Sequence, residues 1–386
     1  MFNFTALPPL SLYIHVPWCV RKCPYCDFNS HKSPDNLPEM AYIDALIRDL
    51  EQEMPSVWGR TVQSIFIGGG TPSLFSAEAY ERLFSSIRAL IPLSSHAEIT
   101  LEANPGTFEA QRFADYRDLG INRLSIGIQS FNDQSLTALG RIHDSKQAIK
   151  AIETAHKVGF DNFNLDLMFG LPQQTEKTAR HDVAMAISLE PSHISYYQLT
   201  LEPNTLFYKN PPTLPDEDPI IDWQISNQQL LAEAGYQQYE VSAYARGKNR
   251  CQHNLNYWQF GDYLGIGAGA HGKITDASKQ SITRRSKQKQ PQAYIDAAGL
   301  PSVILTEEVI SKTDVGFEFM LNALRLTDGF PTPLFYQHAG LPISHIDKAL
   351  QYAEHEGLLT RDIHFIRPTE KGQRYLNVLV ELFLPE

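Results

Sequence analysis

Between residues 11 and 201 the chain alternates six times between short apolar runs and longer amphipathic stretches. The segments 11–18, 63–67, 97–103, 123–129, 163–168 and 193–201 read as strands. Those at 38–54, 77–90, 108–119, 145–158 and 176–189 repeat apolar residues three or four apart, as helices do. Short connections between unlike elements leave little choice of topology. Each helix is a crossover that returns the chain to the start of a parallel neighbour. The predicted class is α/β, a partial (β/α)6 barrel open on one side.

Polar and glycine residues gather where these strands end. Cys19 follows the first and Gly68, Gly69, Gly70 and Thr71 the second; Glu102 and Asn104 end the third. Gln129, Asp166 and Gln198 close the fourth, fifth and sixth. Any one of them is well explained as a turn or cap residue. Six together ring one mouth, at the end of the sheet where α/β proteins build their sites.

The alternation stops near residue 203. We expect a barrel over 1–202, an extension over 203–303 and a mainly helical subdomain over 304–386. In the last, helices at 314–325, 332–338 and 344–356 precede a hairpin-like stretch, the order of a winged helix. That segment holds 12 acidic and 7 basic side chains, which argues against DNA and for packing or docking. Within the extension Arg284, Arg285, Lys287 and Lys289 read as a solvated loop. Gly265, Gly267 and Gly269 mimic a dinucleotide fingerprint, but the polar stretch after them is no amphipathic helix. Close backbone packing near the mouth is the expectation there.

A net charge of −11 opposes a nucleic-acid partner, which needs a concentrated positive field. No run of 18 apolar residues predicts a membrane span. The first residues carry no basic leader before an apolar core. Four cysteines in 386 residues fit a reducing cytoplasm better than a disulfide framework.

Three of those cysteines, Cys19, Cys23 and Cys26, stand at C-x3-C-x2-C spacing. Thiols so crowded point to a metal centre. Zinc would need a fourth ligand, His15 or His31. A [4Fe–4S] cluster normally takes four cysteines, so three would leave one iron open to a non-protein ligand.

With Tyr25 before its last cysteine, this segment resembles the signature of radical S-adenosylmethionine (SAM) proteins. Y-I-H-V-P-W-C, G-G-G-T-P-S, E-A-N-P, R-L-S-I-G-I-Q-S, L-G-R-I-H and D-L-M-F-G-L-P extend the likeness to the oxygen-independent coproporphyrinogen III oxidase group, which includes heme chaperones. The resemblance implies a [4Fe–4S] cluster on Cys19, Cys23 and Cys26, with SAM on the open iron. It implies that Gly69, Gly70 and Thr71 receive the methionine end of SAM and Arg141 its carboxylate. Glu102 and Asp166 would take the amino group and ribose hydroxyls, Gln129 the ribose, and Tyr13 and Tyr25 further contacts. The oxidases carry another cysteine two residues after the third; here that position is Phe28, which counts against decarboxylation. His253-Asn254-Leu255-Asn256-Tyr257-Trp258 resembles the heme-binding motif of the chaperone branch and implies heme on His253. The function so implied is delivery of heme to hemoproteins, respiratory membrane complexes among them, by a chain with no transmembrane segment that is compatible with a homodimer. The alternatives are a true oxidase and a zinc-stabilised binding protein.

Overall fold

The computed structural model describes residues 2–106 and 110–385. Six parallel strands lie side by side in chain order: β1 (Leu10–Val16), β2 (Val62–Gly69), β3 (Leu93–Ala103), β4 (Arg123–Gln129), β5 (Phe163–Phe169) and β6 (His193–Gln198). The helices Glu39–Glu53, Ala77–Leu90, Ala110–Asp118, Ser145–Lys157 and Glu176–Ser188 connect them. The third was expected to begin at 108; residues 107–109 lie outside the described part. Helix starts follow local chemistry. Asp144, for example, accepts from Gln147 N while the Gln147 side chain accepts from Asp144 N, a reciprocal cap.

Strand alternation divides the barrel into two chemistries. Leu12, Ile14, Ile65, Ile67, Leu101, Leu124, Ile126, Leu165 and Leu167 are buried in one hydrophobic core shared with the helices, each side chain contributing roughly 1.5–3 kcal/mol on full burial. Their intervening neighbours turn into the lumen, and most are polar. Ser11 meets Ser64 at 2.8 Å, Asn164 donates to Ser125 at 2.8 Å, and His193 Nδ1 lies 2.6 Å from Asn164 Oδ1. A period of two therefore builds a greasy jacket around a hydrogen-bonded interior.

The extension continues the same sheet. β7 (Gln237–Glu240) and β8 (Ala243–Ala245) add beyond β6, with β8 antiparallel to it. At the other side β9 (Asp262–Ile266) pairs in parallel with β1, and β10 (His271–Asp276), β11 (Ser281–Lys287) and β12 (Ile304–Val309) follow antiparallel. The order is β12-β11-β10-β9-β1-β2-β3-β4-β5-β6-β8-β7. The basic group is consequently no solvated loop. Arg284, Arg285 and Lys287 lie on β11, and Lys287 is buried with its Nζ 2.6 Å from both Asp49 and Glu53 carboxylates. Arg285 bonds Glu53 at 2.8 Å, and Arg284 pairs with Glu318. Carboxylates more than two hundred residues away in sequence satisfy Arg285 and Lys287, and one 34 residues on satisfies Arg284, so local composition could not reveal it.

The glycine run behaves as expected. A Cβ on Gly265 would come within 1.9 Å of His271 O, and one on Gly267 within 2.4 Å of His15 O. After residue 310 a second core forms around Val315, Phe319, Phe335 and Leu350, and Phe2 and Phe4 from the N-terminus join it. Helices Lys312–Ala323, Thr332–Ala339 and Asp347–His355 precede a hairpin, Leu359–Arg361 against Phe365–Pro368, giving a winged-helix-like subdomain. Among the described residues no helix is long and apolar enough to cross a membrane.

Candidate functional site at the barrel mouth

The thiol loop leaves the C-terminal end of β1. Trp18–Cys19 pairs with His31–Lys32 and closes it at the base. Within the loop Cys26 N donates to Cys23 O at 3.2 Å. All three thiols are half-buried, and burial pushes those of Cys19 and Cys26 up. Among the described residues no three His, Cys, Asp or Glu side chains are gathered as around a single metal ion. A cubane offers its irons at separate corners, so thiolates on one loop can reach it without meeting at a point. His15 has no lone pair to spare for a zinc ion. Its Nδ1 lies 2.9 Å from Tyr13 Oη and its Nε2 2.8 Å from Asn29 O.

The glycines of 68–70 let the end of β2 press against this loop. A Cβ on Gly70 would stand 2.5 Å from Trp18 O; one on Gly69, whose φ is +112°, would stand 2.4 Å from the His15 ring. Gly70 N and Thr71 N donate to Val16 O and Trp18 O, both at 2.7 Å. The missing side chains thus make room for the loop itself.

Around the mouth, polar groups from β3, β4, β5 and the turn after β4 interlock. Arg141 Nη2 donates to Asn104 Oδ1 at 2.6 Å and to Gly127 O at 2.7 Å, and Nη1 lies 3.6 Å from Cys23 Sγ. Its Nε is buried with no hydrogen-bond partner among the described residues. Asn104 Nδ2 in turn donates to Thr71 Oγ1 at 2.9 Å. Glu102 accepts from Gly69 N at 2.9 Å. Burial, and then the neighbouring Asp166, push its carboxyl up to about 7. Asp166 accepts from Asn164 at 2.8 Å and Ser125 at 3.2 Å, and burial raises its carboxyl as well. Gln129 ends β4 at φ +67° and takes a 2.8 Å bond from Tyr197 Oη. A non-glycine residue in that region stores on the order of 1 kcal/mol of strain, a recurrent mark of sites. Tyr25 packs beside Phe207 and close to Arg141 and Cys23.

These groups fit a cluster and SAM. Three thiols supply the ligands, the orphan Arg141 Nε aims a donor beside them, and two strained-up carboxyls would regain their charge beside a cation. Tyr197, Asn164 and Ser125 complete the network and went unread in the sequence, although each sits at the same alternating phase as Asp166 or Glu102.

His253 lies elsewhere. It opens the helix Gln252–Trp258, which enters the lumen from the opposite end. Its Nδ1 is 3.0 Å from Ser64 Oγ and its Nε2 2.9 Å from Tyr257 Oη. The imidazole ring lies 6.4 Å from the ring of Tyr13, and Tyr257 stands between it and the cavity. It is 1% exposed, lies against Phe66, and burial with nearby Arg123 holds its pKa down to about 3. The resemblance implies heme on His253; here both ring nitrogens are hydrogen-bonded. Cys251 is buried 3.6 Å from Glu98, its thiol pushed up to about 12 by burial, an inert group.

A cavity of about 640 Å3 opens between the thiol loop and the extension. Tyr257, Trp258 and Tyr263 wall one side, and Cys26 and Phe28 border the other. Phe28, at the position of the oxidases' extra cysteine, is 58% exposed.

Strand order, polar lumen and thiol loop define a radical SAM protein. Residues 13–186 match the radical SAM superfamily and residues 310–375 the HemN C-terminal domain. The chain is 50% identical over 380 residues to the heme chaperone HemW of Escherichia coli (strain K12), covering 98% of this chain and 99% of that one. It is 35% identical over 389 residues to the heme chaperone HemW of Bacillus subtilis (strain 168), covering 97% and 99%. The fold of coproporphyrinogen III oxidase (HemN) from Escherichia coli superposes with a TM-score of 0.83 at 23% identity, over 98% of this chain and 90% of that one. The chain belongs to the HemW family. Its superfamily implies a [4Fe–4S] cluster and SAM.

Proposed function

We propose that this protein is a heme chaperone, taking up heme and delivering it to hemoproteins, respiratory-chain acceptors among them. The observation that carries the reading is the aromatic cavity beside the thiol loop. Its volume of about 640 Å3 lies within the ~300–1,000 Å3 of small-molecule sites, and the rings of Tyr257, Trp258 and Tyr263, packed edge to face, offer a porphyrin apolar contact. The names of the relatives sharing half its sequence support it.

Cys19, Cys23 and Cys26 would hold the cluster. Arg141 would meet the SAM carboxylate, Glu102 its ammonium, and Asp166 and Gln129 the ribose. Gly69, Gly70 and Thr71 would fix the wall at the methionine end, and Tyr13 and Tyr25 the flanks. When bound, the cluster and SAM supply a reducible iron centre with one iron held outside the protein's own ligands. His253, through Tyr257, steadies the cavity wall from behind. Phe28 replaces a thiol with an apolar surface at the cavity edge, which favours holding a porphyrin over acting on one.

Hemin titration of the anaerobically reconstituted protein should give stoichiometric binding, followed by transfer to an added apo-hemoprotein. Conversion of coproporphyrinogen III to protoporphyrinogen with SAM and reductant would instead establish the oxidase.

A further inference from the structure

The sheet is open, with β7 at one end and β12 at the other, and a single helix grips strands on both sides of the gap. Along Lys312–Ala323 and the turn that continues it, Glu318, Asn322 and Arg325 stand four and then three residues apart, so they share one face. Glu318 accepts from Arg284 of β11, at 2.8 Å from Nε and 2.5 Å from Nη2. Arg325 Nη2 donates to Glu240 of β7 at 3.0 Å. Asn322, between them, borders the aromatic cavity. An acid reaches a base on one side and a base reaches an acid on the other, so the helix can bridge the gap in one direction only.

The Glu240 end of this bridge is firmly built. Glu240 is 3% exposed, and its second carboxylate oxygen accepts from Ser242 N and Oγ at 3.0 and 3.1 Å. Its main chain bridges to Leu326, and Thr327 N donates to Tyr239 O at 3.1 Å. The guanidinium that Glu240 holds then reaches the cavity wall from behind. Arg325 lies over the Trp258 ring, 4.2 Å from its centroid, and does not itself border the cavity. Neither Arg325 Nε nor Trp258 Nε1 has a hydrogen-bond partner among the described residues. The indole is therefore oriented by packing, and a planar cation on its face is well suited to that. The chain just after Trp258 is docked on the same subdomain. His338 Nδ1 lies 2.6 Å from Gln259 O, and Phe260 packs against Phe319 at 5.6 Å.

We propose that Arg325 is a positioning residue for the cargo: held by Glu240, it fixes the tilt of Trp258, so that the C-terminal subdomain sets the aromatic wall and the time a planar ligand stays. This rests on the heme-carrier reading and adds to it what governs release. Arg325 makes no bond to the cargo; it acts through the indole.

The test uses the full-length, cluster-reconstituted chain loaded with hemin. Two readouts are taken: the induced circular dichroism of the Soret band, which reports how the porphyrin lies against its aromatic neighbours, and the rate of hemin transfer to excess apomyoglobin. Arg325→Lys keeps a cation for Glu240 and gives up the planar stack. It should release hemin roughly three- to tenfold faster, with altered Soret dichroism and near-normal melting. Arg325→Met loses both contacts and should release about tenfold faster or more, with a lower melting temperature. Glu318→Gln loosens the opposite grip. Combined with Arg325→Met it should add less than its own single effect, because either break frees the same helix. The thermal shift produced by SAM should be the same in every variant, since none touches the mouth. Folded Arg325→Lys and Arg325→Met proteins with wild-type release and wild-type Soret dichroism overturn the proposal and leave the carrier reading standing. An effect confined to Arg325→Met assigns it to the Glu240 pair and overturns the role of the stack. A wild type that binds no hemin overturns the carrier reading itself.

Discussion

The barrel mouth and the cavity beside it share a wall, yet they are built in opposite ways. At the mouth the crevice among Cys23, Thr71, Asn104 and Arg141 holds only about 20 Å3, and nearly every polar group has a partner from another strand. The cavity holds about 640 Å3 and is walled by Tyr257, Trp258 and Tyr263 with Lys22 and Lys289 at its edge. A resident cofactor is gripped by a site organised in advance, where each group's position is fixed by its neighbours. A cargo that must leave is better served by an open wall and a few adjustable contacts. The contrast suits a protein that keeps one ligand and hands on another.

The largest effect tests the mouth. Cys23→Ala should abolish iron–sulfur absorbance and bound iron, while far-ultraviolet circular dichroism stays near that of the wild type. Gly70→Ala comes next. Its Cβ would sit 2.5 Å from the Trp18 carbonyl oxygen, a backbone atom that cannot step aside, so denaturant melts should show a loss of about 1–3 kcal/mol together with poorer cluster reconstitution. The same substitution at Gly59, where a Cβ meets nothing but φ is +74°, separates crowding from backbone strain.

Glu102 supplies a pH signature at the mouth alone. Its folded carboxyl is raised from 4.5 to about 7. Holding the proton favours the ligand-free fold below pH 4.5, and that advantage disappears as pH rises through 7. An ammonium ligand needs the ionised form. The thermal shift produced by SAM should therefore grow between about pH 6 and pH 8, and Glu102→Gln should flatten the dependence. Hemin affinity should not follow the same curve; if it does, the two regions are one site. Tyr257→Phe is smaller. It leaves His253 Nε2 without its 2.9 Å partner, at a cost of about 1 kcal/mol in melting experiments. Phe28→Ser should change stability by no more than ~0.5 kcal/mol and lower hemin affinity a few-fold, which titration would detect.

Much of this was legible in the residues. The helix 77–90 is found at Ala77–Leu90, and β4 spans the residues expected of it, because each alternation of period was strong and short turns bounded it. The ring of polar strand ends proved legible for the same reason. β10 and β11 were missed because their charges are neutralised by Asp262, Glu318, Asp49 and Glu53, partners that only the folded chain brings near. His253 is hard to read for a related reason. A histidine among aromatics announces a contact, but whether the contact is a ligand or a tyrosine hydroxyl depends on how deep its helix sits.

The parallel pairing of β1 with β9 also sets a clock. Leu10 faces Asp262 across that ladder, 252 positions later, so on a ribosome adding roughly 5–20 residues per second the first strand waits about 13–50 s for its second neighbour. Until then one rim of an apolar strand stays bare, a template for joining a stranger's strand. For most of its synthesis the nascent chain therefore carries this open edge, and closing it falls to the last third of the sequence.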